Sequence, residues 1–165
     1  MPEPAAVSRR PRAVLFAYSE AGTVALEVLL ELGIEVAAVV THRDDPHETR
    51  WFRTPREFAA THCPSVPVHD DDTLGDPHAF ALCRTLAPDL ILSVFYRRLL
   101  PEPTLRCART AALNLHPSLL PRYRGRAPIN WVLVHREPET GVTLHHMVAQ
   151  ADAGDIVAQR RIPIA

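Results

Sequence analysis

AVLFAYSEAGTVALEVLLELGIEVAAVVT, residues 13–41, decides the fold. Its first six residues, AVLFAY (13–18), form a short continuous apolar run, the pattern of a strand buried on both faces. Residues 19–22 read as a turn. TVALEVLLELG (23–33) then places Val24, Leu26, Val28, Leu29 and Leu32 in one stripe at helical spacing, and Gly33 stands where a C-terminal cap belongs. IEVAAVVT (34–41) is a second buried strand. Strand, helix and strand in this order imply a parallel pair joined by a right-handed crossover.

Working outward, HRDDPHETRWFR (42–53) reads as a surface loop. TPREFAATH (54–62) has the signature of a capped helix, with Thr54 as N-cap, Pro55 at the first helical position and Glu57 three residues on. SVPVHD (65–70) is expected as a strand, DPHAFALCRTLAP (76–88) as a helix opened by Asp76, DLILSVF (89–95) as a strand and PEPTLRCAR (101–109) as a helical turn. TAALNLH (110–116) is a strand, PSLLPRYRGRAP (117–128) a loop and INWVLVHRE (129–137) a helix. TGVTLHHMV (140–148) and DIVAQRRIPIA (155–165) are strands around the turn AQADAGD. The alternation gives an α/β chain: a Rossmann-like open, mostly parallel sheet with helices on both faces. Ligands of such sheets bind beyond the C-terminal strand ends, so 18–22, 93–100 and 114–116 should share one rim. Residues 1–11 lack periodicity and read as a disordered leader, leaving 12–165 as one domain.

Composition excludes several classes. The 165 residues carry a net charge of −1, so no global field points to nucleic acid or an anionic membrane. All 18 basic residues are Arg; without Lys, Schiff-base chemistry on a lysine amine is ruled out. Cys63, Cys83 and Cys107 are odd in number and lack CxxC spacing, which suggests reduced thiols in a cytoplasm. No signal sequence or membrane span is evident. The nine histidines show neither HExxH nor finger spacing, so no metal is expected.

Three features carry chemistry. Asn114 and His116 are two apart in a strand and project to one face as it leaves the sheet. An amide beside an imidazole can stabilise an oxyanion and move a proton; the same spacing equally suits a polar pair that closes the strand. Arg122, Arg124 and Arg126 put three guanidinium groups into a proline-stiffened loop, able to grip carboxylate or phosphate, or simply to face solvent. Asp152, in the turn between the last two strands, can orient a histidine, although turns often hold Asp for local bonding alone. The first turn, SEAG, lacks GxGxxG, there is no P-loop, and Ser118 has no nucleophile-elbow context.

Together these strings resemble the 10-formyltetrahydrofolate-dependent formyltransferase family. NLHPSLLPRYRGRAPINW (114–131) is similar to its N-x-H, SLLP and R-G-x-x-P signature, and ETGVTLHHMVAQADAGDIVAQ (139–159) to its E-T-G-V-T and D-x-G-D turn. TVALEVLLELGIEVAAVVTHRDDP (23–46) resembles its opening, so the likeness runs from about residue 12 to the end. Within the family it looks most like the formyltransferase domains of bifunctional polymyxin-resistance enzymes, which formylate UDP-4-amino-4-deoxy-L-arabinose in lipid A modification.

The resemblance implies the formyltransferase fold, here ending before the family's last helix; a dimer would be one way to cover a sheet face so exposed. It implies 10-formyltetrahydrofolate as co-substrate, no metal, a cytoplasmic location and a small-molecule amine acceptor such as a nucleotide sugar. Methionyl-tRNA or another amine as acceptor, and a folate-binding module without catalysis, are the alternatives. By the resemblance, Asn114 holds the formyl oxygen, His116 handles the proton and Asp152 assists His116. Arg98, Leu99, Leu100, Arg126, Val148, Ala149, Gln150 and Ala151 line the folate site.

Overall fold

The computed structural model describes residues 9–44, 46, 47 and 49–165. Twelve elements follow in order: β1 (Arg12–Ala17), α1 (Ser19–Glu31), β2 (Glu35–Thr41), α2 (Pro55–His62), β3 (Val68–Asp70), α3 (Asp71–Leu86), β4 (Leu90–Val94), α4 (Glu102–Leu105), β5 (Ala111–His116), α5 (Pro128–Val134), β6 (Glu139–His146) and β7 (Ile156–Pro163). The strands form one sheet in the order β3-β2-β1-β4-β5-β6-β7. Strands β1 to β5 run parallel, and β6 and β7 extend the sheet antiparallel. The mostly parallel α/β architecture is therefore as the sequence implies.

The crossover helices cover both faces. Leu26 and Leu29 of α1 and Phe58 and Ala59 of α2 pack on Ala13, Leu15 and Val39. Ala79 and Cys83 of α3 pack on Val14, Phe16 and Val40 on the other face. Alternate residues of β1 thus enter opposite cores, which is why that strand reads as a continuous apolar run.

Local chemistry sets the boundaries. Helix α1 begins at Ser19, so the segment expected as a turn is its first turn, closed by the Gly22 N–H donating to Tyr18 O at 3.0 Å. At its end, Gly33 (φ +70°) donates to Leu30 O and Ile34 to Leu29 O, the paired bonds of a Schellman cap. The capping box of α2 is present: Glu57 N–H donates to Thr54 Oγ1 at 3.2 Å, and Thr54 N–H to Glu57 Oε2 at 3.1 Å. Strand β3 has three residues rather than six; Pro67 offers no N–H to the ladder, which starts at Val68. Helix α3 starts before Asp76, as a first turn joined across Gly75 (φ 56°) to the expected helix.

The expected leader falls mainly on residues 1–8, outside the described residues. At 9–11 the chain is tied down: the Arg9 guanidinium donates to both Asp89 oxygens at 2.8 Å, and Pro11 O accepts from Glu35 N–H. At the far edge, β7 is exposed along its whole length, including Ile156, Val157 and Ile162. Among the described residues no helix is long and apolar enough to cross a membrane.

Candidate active site

Strand register builds the site. Asn114 of β5 stands opposite His145 of β6, and His116 opposite Thr143. The Asn114 amide nitrogen donates to His145 Nε2 at 3.1 Å. His145 Nδ1 lies 2.9 Å from His146 O. A carbonyl can only accept, so Nδ1 carries the proton and Nε2 is left to receive the amide.

Asp152 closes the group from the turn between β6 and β7, in the left-handed region at φ 51°. Its Oδ2 accepts from Gly125 N–H at 2.8 Å and lies 3.4 Å from His116 Nδ1. Its Oδ1 lies 3.5 Å from both Asn114 Nδ2 and His145 Nε2. His116 Nε2 donates to Tyr123 O at 2.9 Å. Each ring nitrogen of His116 therefore faces an oxygen, and a protonated ring would have an acceptor for each N–H. His116 and His145 are 4% and 1% exposed, so water does not compete for these contacts.

The turn is aimed by a close approach. A Cβ built on Gly154 would lie 1.9 Å from His146 O, so only glycine lets the chain pass so near the end of β6. The Pro-rich loop folds back over the same residues, and its three arginines go to three places. Arg122 pairs with Glu137, Arg124 Nε donates to Asp152 O at 3.0 Å, and Arg126 lines the cavity without an ion pair among the described residues. The loop is pinned below by Thr143, which donates to Ser118 O at 2.7 Å and accepts from Leu120 N–H at 3.1 Å.

The cavity has a volume of about 660 Å³, within the usual range for small-ligand sites. Asn114, His116 and Asp152 line it together, as do Arg98, Leu99, Leu100, Arg126, Val148, Ala149 and Ala151. Gln150, expected among them, is not part of the lining. The Arg98 guanidinium is held by Asp71, its Nε 2.6 Å from Oδ2. Leu99, Leu100, Met147 and Val148 supply an apolar wall, and the loop backbone supplies donors and acceptors. That combination suits a flat heteroaromatic ring with polar edges.

Two groups escape sequence reasoning. His145 stands in TLHHMV, where alternation shows only that one of the two histidines turns inward. The second is a set behind the β4 loop in which His42 and Asp71 are buried and Tyr96 is half-buried. His42 Nε2 accepts from Arg97 N–H at 2.9 Å, and its Nδ1 lies 3.3 Å from Asp71 Oδ2. Tyr96 stacks on His42 and donates to Asp71. Burial pushes His42 below its ordinary value of 6.5, against the opposing pull of Asp71, and pushes the Tyr96 phenol well above its own. These residues lie far apart in sequence and carry no motif.

The family model described as formyl transferase matches residues 15–165. Among solved structures, the chain is similar to phosphoribosylglycinamide formyltransferase from Bacillus halodurans, at 25% identity and TM-score 0.73 over 93% of this chain and 80% of that one. Glycinamide ribonucleotide transformylase 1 from Geobacillus kaustophilus gives 27% and 0.73 over 95% and 85%. WlaRD, a sugar 3N-formyl transferase crystallised in the presence of dTDP and 5-N-formyl-THF, shares the fold at 19% identity and TM-score 0.67, over 95% of this chain and 53% of that one.

Proposed function

Since the chain belongs to the formyl transferase family, we propose that it moves the formyl group of 10-formyltetrahydrofolate onto the primary amine of a nucleotide-linked amino sugar, with Asn114, His116 and Asp152 as the catalytic residues. The observation that carries this reading is the closed contact set: Asn114, His116, His145 and Asp152 joined by contacts of 3.1 to 3.5 Å at one cavity wall.

The amine lone pair adds to the formyl carbon, the carbon–N10 bond breaks, N10 takes up a proton and the amine gives one away. Charge develops on the formyl oxygen. An Asn114 N–H directed at that oxygen stabilises it, an effect worth about 2.7–4 kcal/mol for a single donor. His116 handles the proton, its ring held between Tyr123 O and Asp152. Asp152 orients that ring and accepts the proton that the amine loses. Leu99, Leu100, Arg126, Val148, Ala149 and Ala151 bound the space for the folate ring.

The amino-sugar acceptor is supported by the string RYRGRAPINWVLV (122–134) and its likeness to the amino-sugar branch. The test is 10-formyltetrahydrofolate consumption by the 165-residue chain, with and without UDP-4-amino-4-deoxy-L-arabinose, followed by mass spectrometry of the sugar. Amine-dependent turnover with a formylated product is expected. Turnover independent of any amine would make the chain a deformylase, and turnover only with glycinamide ribonucleotide or methionyl-tRNA would replace the acceptor.

A further inference from the structure

His116, Thr143 and Gln159 stand in one row across the sheet. The register of β5 and β6 sets His116 opposite Thr143, and that of β6 and β7 sets Thr143 opposite Gln159. Directly opposed residues of an antiparallel pair share a face, so all three side chains project to the side where the loop after β5 folds back.

Thr143 and Gln159 together clamp that loop at Leu120. Leu120 N–H donates to Thr143 Oγ1 at 3.1 Å, and Leu120 O accepts from Gln159 Nε2 at 2.8 Å. A carbonyl only accepts, so the Gln159 amide presents its nitrogen there, and the same nitrogen donates to Thr143 Oγ1 at 2.9 Å. The hydroxyl is then saturated. Both of its lone pairs are taken, and its single hydrogen goes to Ser118 O at 2.7 Å. Thr143, Ser118 and Leu120 are buried, so each of these bonds is costly to leave unmade.

The clamp leads to His116. Ser118 N–H donates to His116 O at 2.9 Å, and Ser118 Oγ closes the loop by donating to Arg122 O at 2.7 Å. The next residue is Tyr123, whose O accepts from His116 Nε2, and two further on Gly125 N–H donates to Asp152 Oδ2. The backbone groups that orient both the imidazole and the carboxylate are therefore on the loop that Gln159 ties to the sheet. Gln159 itself comes from β7, exposed along its length, and does not line the cavity.

Resting on the formyl-transfer reading, we propose that Gln159 is a positioning residue for His116, acting from the edge strand through Thr143 and Leu120 on the loop that holds the ring. The test uses Gln159→Leu and Gln159→Glu, which are close in size and lack the donor, with Thr143→Val and Thr143→Ser, which remove and keep the hydroxyl. Arg161→Leu is the control. It stands two residues on, on the same face of β7, and loses a surface pair with Glu139. All are made in the full chain. kcat and KM are measured for both substrates, and the NMR signal of the His116 Nε2 proton is followed, assigned by its loss in His116→Asn.

A displaced ring should lower kcat by about 10-fold in the Gln159 variants and about 100-fold in Thr143→Val, with both KM values little changed. Thr143→Ser should stay near wild type. The His116 signal should shift or exchange away in the Gln159 variants and remain in Arg161→Leu. An unmoved signal or an unchanged kcat in the Gln159 variants overturns the assignment. An equal loss in Arg161→Leu also overturns it, since any weakening of the edge strand would then suffice. If the wild type formylates no amine, the formyl-transfer reading fails and the His116 signal alone decides: moved by Gln159→Leu but not by Arg161→Leu, it keeps Gln159 as the residue that places the ring, and any other pattern removes it.

Discussion

Asn114 and His145 face each other across β5 and β6, and the amide of the first donates to the imidazole of the second at 3.1 Å. The far nitrogen of that imidazole is anchored on His146 O at 2.9 Å, so the ring can neither spin nor change tautomer without losing a bond. His145 therefore fixes which way the Asn114 amide points. His145→Leu keeps much of the volume and frees the amide. A misplaced donor should lower kcat by about 100-fold, with KM for folate little changed. His145→Gln, which retains an acceptor, should recover part of the loss. Equal kcat in both variants and wild type would remove His145 from the machinery.

Asn114→Ala removes the proposed oxyanion donor itself. We expect kcat to fall by about 100- to 1000-fold, with binding of 5-formyltetrahydrofolate retained in calorimetry. A rise in KM at constant kcat would mean that Asn114 only binds.

Gly154→Ala adds one methyl group where His146 O leaves no room. The turn must move, and Asp152 moves with it. A destabilisation of about 1–3 kcal/mol in urea unfolding is expected, together with a loss of turnover well beyond what the stability change explains. An active, equally stable variant would show that the turn can yield without disturbing Asp152.

The β-α-β opening was legible because a buried parallel strand has to be apolar throughout and the crossover helix has to carry a stripe. The Asn114–His116 pair was legible because strand alternation puts both side chains on one face. His145 was not, since an inward histidine and an outward one are the same letter until β5 shows which stands opposite Asn114. Nor were the destinations of Arg122 and Arg124, set by Glu137 and by the Asp152 turn, residues 15 and 28 positions away. The first turn of α1 reads as a turn because Ser19 and Gly22 are weak helix formers; the bond from Gly22 to Tyr18 O overrides that preference.

Acid should act on the β4 loop through His42. Burial holds its pKa below the ordinary 6.5, while Asp71 and Asp72 pull upward and Arg97 and Arg98 add to the downward push. The unfolded chain takes up this proton first, so the contribution to stability is complete above about pH 6.5 and is lost as the pH falls through the folded value. Protonation also removes the acceptor for Arg97 N–H. Urea midpoints measured from about pH 7.5 down to about pH 5.5 should decline more steeply in the wild type than in His42→Gln. Parallel slopes would locate the acid sensitivity elsewhere.

Solvent exposure is graded across the sheet. Ala13 to Ala17 of β1 are wholly buried, β5 is half-buried until His116, and β7 is exposed from end to end. Local opening costs least where fewest apolar contacts are lost, so the β5–β6–β7 margin can part while β1, β2 and β4 remain paired. Warming should then yield a chain that keeps most of its secondary structure yet is chemically silent, because Asn114, His116 and Asp152, the proposed catalytic residues, are mounted on the half of the sheet expected to let go first.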